Sequence, residues 1–431
     1  PPRSTLFPYT TLFRSGKAAS GDTILVASGT YTGSSGNSVV TISKSLHLSG
    51  GWNASFTYKN GTSIIDGQGI RRGISNTSGP SIVDSFTIQN GYTKYSGGGV
   101  ANSSSGTLTI NNTKISNNSE GDPCCSGGGG GGGIYNNGGT LTLNNSTVTN
   151  NTILGGYGGS GINTSSGVVI LNNSTVSGNT GGWGEGIYVT AGTAVLNNST
   201  VSGNQSYGIR KYSGTVTLRN TIIAHNGSIG DCNGTFVSQG YNLIGKDSGG
   251  CGGFSTAKGD LINVDARLGE LIGFPGYIPL LQGSPAMDAG NPESPGSGEN
   301  ACLSHDQRGV ARPVGERCDI GAYEYSAASD AASLAIASGN NQRIAPNLAF
   351  LLPFRVAVLD TQGSPVPNTS VTFMAPSSGA SGIFADSNTG TTSAITDSNG
   401  VAVSPAFIAN NQSGTYTVTA SADGEIGRAH V

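Results

Sequence analysis

Between residues 97 and 230 the chain offers only three carboxylates, Glu120, Asp122 and Glu185, and one repeat after Glu185 come two adjacent cations, Arg210 and Lys211. Two acids set roughly 5–9.5 Å apart across a glycosidic bond would hydrolyse it. A carboxylate cluster holding calcium, with Arg or Lys as base, would instead eliminate across it. Glu185, Arg210 and Lys211 are the groups an enzyme would use here, but three acids, none expected at a strand position that stacks on its neighbours, make a thin cleft. A second group suits binding. Tyr92, Tyr95, Tyr157, Trp183 and Tyr207 stand among glycines, and aromatic faces among small residues can stack on the C–H faces of sugar rings. The plainer role for the same rings is to lie down on the protein and cover apolar atoms. Tyr135, Asn163, Tyr188 and Arg210 are expected to form an outward column, either a shallow strip for an extended ligand or a solvated row.

Composition narrows the partners. Charged residues make up 10% of the 431, the net charge is -3 and no long Lys/Arg run occurs, which argues against nucleic acid and anionic membrane, both gripped by clustered positive charge. Nothing approaches the apolar length of a membrane span. No His/Cys metal spacing, nucleophile elbow or phosphate loop is present, so neither metal nor cofactor is expected. The glycine run at 127–133 reads as a flexible loop. Cys232 and Cys251 bracket one loop and Cys302 and Cys318 another. Both pairs read as disulfides and point to an oxidising, extracellular setting. Adjacent Cys124 and Cys125 stay open between a vicinal disulfide, free thiols and an intermolecular link.

The elements that position these groups come from a repeat. LNNSTVSGN occurs at 171–179 and at 196–204, with LNNSTVTNN at 143–151. Apolar pairs two apart, Leu108/Ile110, Leu141/Leu143, Val169/Leu171, Ala194/Leu196 and Val216/Leu218, mark strands with one buried face. Five residues after each pair comes another apolar residue: Ile115, Val148, Val176, Val201 and Ile223. Five is odd, so the chain must turn at the Asn pair to bring it back inside, and Asn tolerates the left-handed conformation of such a corner. Strand, corner and strand, recurring at spacings that fall from 33 to 28, 25 and 22 residues, predict the stacked coils of a parallel β-helix, with corner Asn side chains bonded coil to coil in a ladder. Upstream segments at 22–33, 40–52 and 81–91 fit the same pattern less regularly. About nine or ten coils are expected, ending near residue 265. All variation in length falls between the closing Asn and the next Gly-Ile: 16 residues after Asn118, 11 after Asn151, 8 after Asn179 and 5 after Asn204. These loops should leave one edge side by side, where repeat proteins place binding surfaces.

After 265 the grammar changes. GSPAMDAG, DQRGVARP and CDIGAYEY, in that order, closely resemble the C-terminal block of bacterial choice-of-anchor Q proteins, in which it follows a right-handed parallel β-helix of the pectin-lyase-like class. The resemblance covers roughly 265–325 and implies a secreted or surface-displayed bacterial protein. The upstream GGGV and GGGI followed by an Asn pair are similar to the repeats of polymorphic outer-membrane proteins, on a short pattern. Asp288, Asp306, Arg308, Arg312, Asp319 and Glu324 gather four acids and two arginines in this block. An active site is one reading. The preferred one is an ion network clamping the open end of the β-helix, where bare strand edges invite aggregation. VLDTQGSPVPNTSVTF and SGTYTVTA resemble bacterial Ig-like domains of the invasin type, domains that commonly act as stalks.

The expected organisation is all-β, a right-handed parallel β-helix followed by a small Ig-like β-sandwich. The β-helix spans 16–265, a capping block 266–325, a linker 326–332 and the sandwich 333–424. PPRSTLFPYTTLFRS at 1–15 and EIGRAHV at 425–431 resemble translated adapter read-through, so the natural termini, with any signal peptide or anchor, are expected to lie outside this sequence. The leading functional expectation is a monomeric, non-enzymatic adhesin that binds polysaccharide, cell wall or host-surface glycans through its loop edge. A polysaccharide lyase or glycoside hydrolase is the alternative, and a purely structural spacer the third.

Overall fold

The computed structural model describes residues 18–422 apart from 34–35, 104–105, 122–129, 156–157, 184, 249, 327–330 and 398; of 4–7 and 429–430 it describes only strand placement. Contacts divide the chain into two units, 1–266 with 275–277 and 284–324, and 267–274 with 278–283 and 325–431.

The first unit is a parallel β-helix. The aligned apolar residues pair in register from coil to coil: Leu108 with Leu141, Leu141 with Val169, Val169 with Ala194 and Ala194 with Val216. Across the corner Ile115, Val148, Val176, Val201 and Ile223 pair in the same succession. All of these side chains are buried in one continuous core. The sheet after the corner has ten strands, the last at Leu261–Ile262. Each coil has more arms than strand, corner and strand. The Gly-Ile residues start a further arm, aligned through Ile134, Ile162, Ile187 and Ile209. Among the described residues four coils add a two-residue arm, at Ser119–Glu120, Thr152–Ile153 and Thr180–Gly181 just after the closing Asn and at Tyr92–Thr93 after Gly91, which holds that place.

The corner is built as the odd spacing requires. Asn112, Asn145, Asn173, Asn198 and Asn220 all have φ between 44° and 49°, the left-handed region that Asn enters at least cost. Instead of one Asn ladder the described residues form three rows of three or more asparagines. The closing asparagines form a buried one, Asn118 Nδ2 donating to Asn151 Oδ1 at 2.9 Å, Asn151 to Asn179 at 3.1 Å, Asn179 to Asn204 at 2.9 Å and Asn204 to Asn226 at 2.9 Å. Its last amide donates to Asp231 Oδ1, so the row ends on a carboxylate that needs no further acceptor. A partly buried row links Asn111, Asn144, Asn172 and Asn197, and another links Asn76, Asn102 and Asn136. The buried ladder also accounts for the glycine before each Ile: a Cβ on Gly161 would sit 2.9 Å from Asn179 Nδ2 and 2.4 Å from Gly186 O.

Residues 284–324 correct the expected cap. They do not cross the end of the stack but lie along its side, over the post-corner sheet. Gln307 accepts from Thr175 Oγ1 at 2.6 Å and donates to Thr147 Oγ1 at 3.0 Å; Ala322 N donates to Thr200 Oγ1 at 3.1 Å. The left-handed asparagines serve as docking points: Asn173 Nδ2 donates to His305 O, Asn198 Oδ1 accepts from Leu303 N, and Asn220 Oδ1 accepts from Asn291 N. At the earlier corners, which carry no such contact with the strap among the described residues, the left-handed side chains bond from coil to coil instead, Asn145 Nδ2 donating to Asn112 Oδ1 and Asn112 Nδ2 to Asp84 Oδ1. Both expected disulfides, Cys232–Cys251 and Cys302–Cys318, are present.

The second unit is a small antiparallel sandwich. Arg355–Leu359 pairs with Ser333–Ser338 and Val401–Val403, and Ser370–Met374 pairs with Thr391–Ile395 and Thr419–Ala422. Phe354, Phe373, Phe384 and Phe407 fill its core, the last two 4.8 Å apart. The expected 266–325 block is split, since 267–274 and 278–283 go with this unit: Leu268 bridges Leu280, and Glu270 pairs with Arg355.

Candidate functional site

Glu185 opens the strand Glu185–Val189, and one coil on, Arg210 is in register with Tyr188. Arg210 Nη1 lies 3.2 Å from Glu185 Oε1. Its guanidinium carbon sits 3.9 Å from the ring centre of Trp183 and 5.7 Å from that of Tyr188. The two rings meet edge to face at 6.1 Å. Glu185 is fully buried. Burial pushes its carboxyl up, against a backbone hydrogen bond and the Arg210 charge, which favour the ionised form. The result is a chain of supports: a buried acid holds a guanidinium, and the guanidinium holds an indole by cation–π contact. Trp183 remains 37% exposed.

The expectation that the acids avoid stacking strand positions is overturned. Glu120 and Glu185 both lie in paired strands and are fully buried. As a base for elimination Arg210 is poorly placed, because its cation is engaged by Glu185 and lies against Trp183. Lys211 aligns with Val189 beside it. The outward column does run Tyr135, Asn163, Tyr188, Arg210 in register, but it is no open strip: Asn163 and Tyr188 are buried and the other two half-buried. Tyr135 Oη accepts from Ser165 Oγ at 2.9 Å. Tyr92 is half-buried and donates to Gly121 O, Tyr207 is half-buried, and Tyr95 is 72% exposed. So some rings lie down and others do not. Tyr157, Asp122, Cys124 and Cys125 fall outside the described residues.

The acids and arginines of the strap satisfy one another. Arg312 Nη1 meets Glu324 Oε2 at 2.8 Å, both side chains almost wholly buried, and Arg312 also donates to Asp319 O and Gly321 O. Asp306 takes Arg308 and the amides of Val310 and Glu324. Arg308 stacks 3.7 Å over Tyr323. Asp319 Oδ1 receives Asp288 N. Such closure suits a structural network.

Glu120 is the most perturbed acid. Burial pushes its carboxyl from 4.5 up to about 7, opposed by a hydrogen bond from the Gly130 backbone. Ser96 N donates weakly to Oε1, at 3.4 Å, and Oε2 has no partner among the described residues. The folded protein therefore binds this proton more tightly than the unfolded chain. Its stabilising effect is complete below pH 4.5, declines as pH rises towards 7, and is gone above that. Glu120→Gln should leave stability unchanged at pH 4 and raise it by up to about 3 kcal/mol at pH 8. Denaturant unfolding at the two pH values measures this; parallel pH profiles for variant and parent would refute it.

A shallow polar groove, lined by Asp66, Gln68, Gly69, Asn90, Asn117 and Ser119, lies on the earlier coils. Its only sequence signal is the DGQG turn at 66–69. Among the described residues no three His, Cys, Asp or Glu side chains converge to hold a metal, and no helix is long and apolar enough to cross a membrane.

These features define a parallel β-helix with an aromatic, ion-pair-backed edge. Among solved structures the chain is similar to the crystal structure of pectate lyase Pel9A, at 15% identity over 76% of this chain and 97% of that one, with a TM-score of 0.37. No protein-family model and no curated protein matches the chain.

Proposed function

We propose that the protein is an extracellular, non-enzymatic glycan-binding protein, an adhesin whose β-helix engages polysaccharide at its loop edge and whose Ig-like sandwich acts as a stalk. The observation that carries this reading is Trp183, part-exposed and held by Arg210 at 3.9 Å. A ring fixed before binding loses little freedom when a sugar stacks on it. The two disulfides suit an oxidising extracellular setting. The choice-of-anchor Q resemblance points to the bacterial surface.

Trp183→Ala should weaken binding to the polysaccharide that a glycan array selects by about 30-fold, the usual cost of about 2 kcal/mol for truncating an aromatic anchor. Unchanged affinity would remove the loop edge from the function. The second reading, a polysaccharide lyase or hydrolase, rests on the proximity of Glu185 and Arg210. Incubation with pectin, alginate and glycosaminoglycans, followed by unsaturated-product absorbance and reducing ends, separates the two: sustained turnover would overturn the non-enzymatic reading.

A further inference from the structure

The outward face of the sheet before the Asn corner is a regular net of β-branched side chains. One rank runs Thr107, Thr140, Val168, Thr193 and Thr215, and a second, two residues on, runs Thr109, Thr142, Ile170, Val195 and Thr217. Ile82 and Val237 extend the second rank at its two ends, 37% and 49% exposed. Each of the others is half-buried or exposed, as a side chain flanked by its equivalents on both sides must be. Among the described residues the threonine hydroxyls of both ranks have no hydrogen-bond partner. Neither rank holds a charge, whereas a sheet face kept only for solubility mixes both signs. Coil stacking spaces the net by about 4.8 Å in one direction, and two residues of strand space it by about 6.6 Å in the other. The row of Asn111, Asn144, Asn172 and Asn197 beside it is bonded coil to coil, and side-chain ladders of this kind hold a sheet flat. β-Branched side chains have few rotamers to lose, so the net is set before anything binds.

We infer that this face binds ice. Its two spacings are roughly the repeats at which hexagonal ice sets out oxygen atoms on its prism faces, so each hydroxyl can hold a water of the lattice while the adjoining methyl groups cage the waters between. The absence of charge fits the same partner, because an ammonium or carboxylate would carry its own hydration shell into the gap. A second copy of this chain is the competing occupant, but two such faces pressed together would bury threonine hydroxyls without assured partners, at a cost in free energy. The inference is independent of the glycan reading, since it uses neither the loop edge nor Trp183.

Partition of the full chain into slowly growing ice provides the test, with the shape of single ice crystals as a second readout. The ice-bound fraction should exceed that of the double variant Thr142→Lys with Val195→Lys by about 10-fold, a difference of about 1.4 kcal/mol, and only the parent should facet the crystals. Thr142→Val, which keeps the branched shape, should retain most of the binding. Thr109→Tyr, on another coil, repeats the test with bulk in place of charge, and matched melting curves will verify that each variant is folded. Trp183→Ala should leave ice binding unchanged. Equal incorporation of the parent and the folded Lys or Tyr variants, or exclusion of all of them from ice, would overturn the inference. So would a parent that sediments as a dimer beside a monomeric Lys variant, which would assign the face to self-association.

Discussion

Arg312→Ala should lower the stability of the chain by about 3–5 kcal/mol, the usual cost of breaking a buried ion pair from one side. Glu324 would stay buried with its Oε2 charge uncompensated, since its remaining donors are the amides of Val314 and Asp319. The carbonyls of Asp319 and Gly321 would lose their donors as well, and an unsatisfied buried polar group costs about 1–3 kcal/mol. The damage should spread along the strap, because Asp319 also receives Asp288 N and Ala322 docks on Thr200. Hydrogen exchange should then quicken at Leu303 and Gln307 while the amides of the core strands stay protected. A loss below about 1 kcal/mol would mean that water replaces the pair and that the strap holds by its backbone docking alone.

Asn179→Ala should cost a similar amount, about 3–5 kcal/mol, by a different route. Asn179 Oδ1 accepts from both Asn151 N and Asn151 Nδ2, at 3.0 and 3.1 Å, while its own Nδ2 serves Val148 O and Asn204 Oδ1. Truncation strands two buried donors and interrupts the ladder at its centre, each orphan costing about 1–3 kcal/mol. The matched control is Asn144, which belongs to the partly buried row. There water can replace a lost partner, so Asn144→Ala should cost under about 1 kcal/mol. Denaturant unfolding of both variants decides the matter, and equal losses would show that burial of the ladder is irrelevant to its strength.

The β-helix is legible in the chain because its core side chains touch their own equivalents in neighbouring coils. A contact between equivalents must recur at the period of the coil, so Leu171 to Val176 and Leu196 to Val201 announce it, and the odd spacing alone demands the corner that Asn173 and Asn198 make. The candidate site is only half legible. The clustering of aromatics in the loops that vary in length does not separate Tyr92, which is half-buried, from Tyr95, which is exposed. Exposure there depends on which ring a neighbouring coil covers, and the loops that decide it do not repeat. Glu120 and Glu185 mislead for a related reason: the two-residue arm Ser119–Glu120 is too short to show any alternation, and in Glu185–Val189 every residue is buried, so there is none to show.

The order of strands, the left-handed Asn corners, the two disulfides and the presence of a second all-β unit thus follow from residue pattern and spacing, because each depends on contacts that are local or periodic. The lateral position of the strap and the Glu185–Arg210–Trp183 support follow only from the folded chain. Each joins groups whose meeting is set by coil stacking rather than by spacing along the sequence. Gln307 reaches Thr175 across 132 residues, and a single polar contact of that reach leaves no periodic trace.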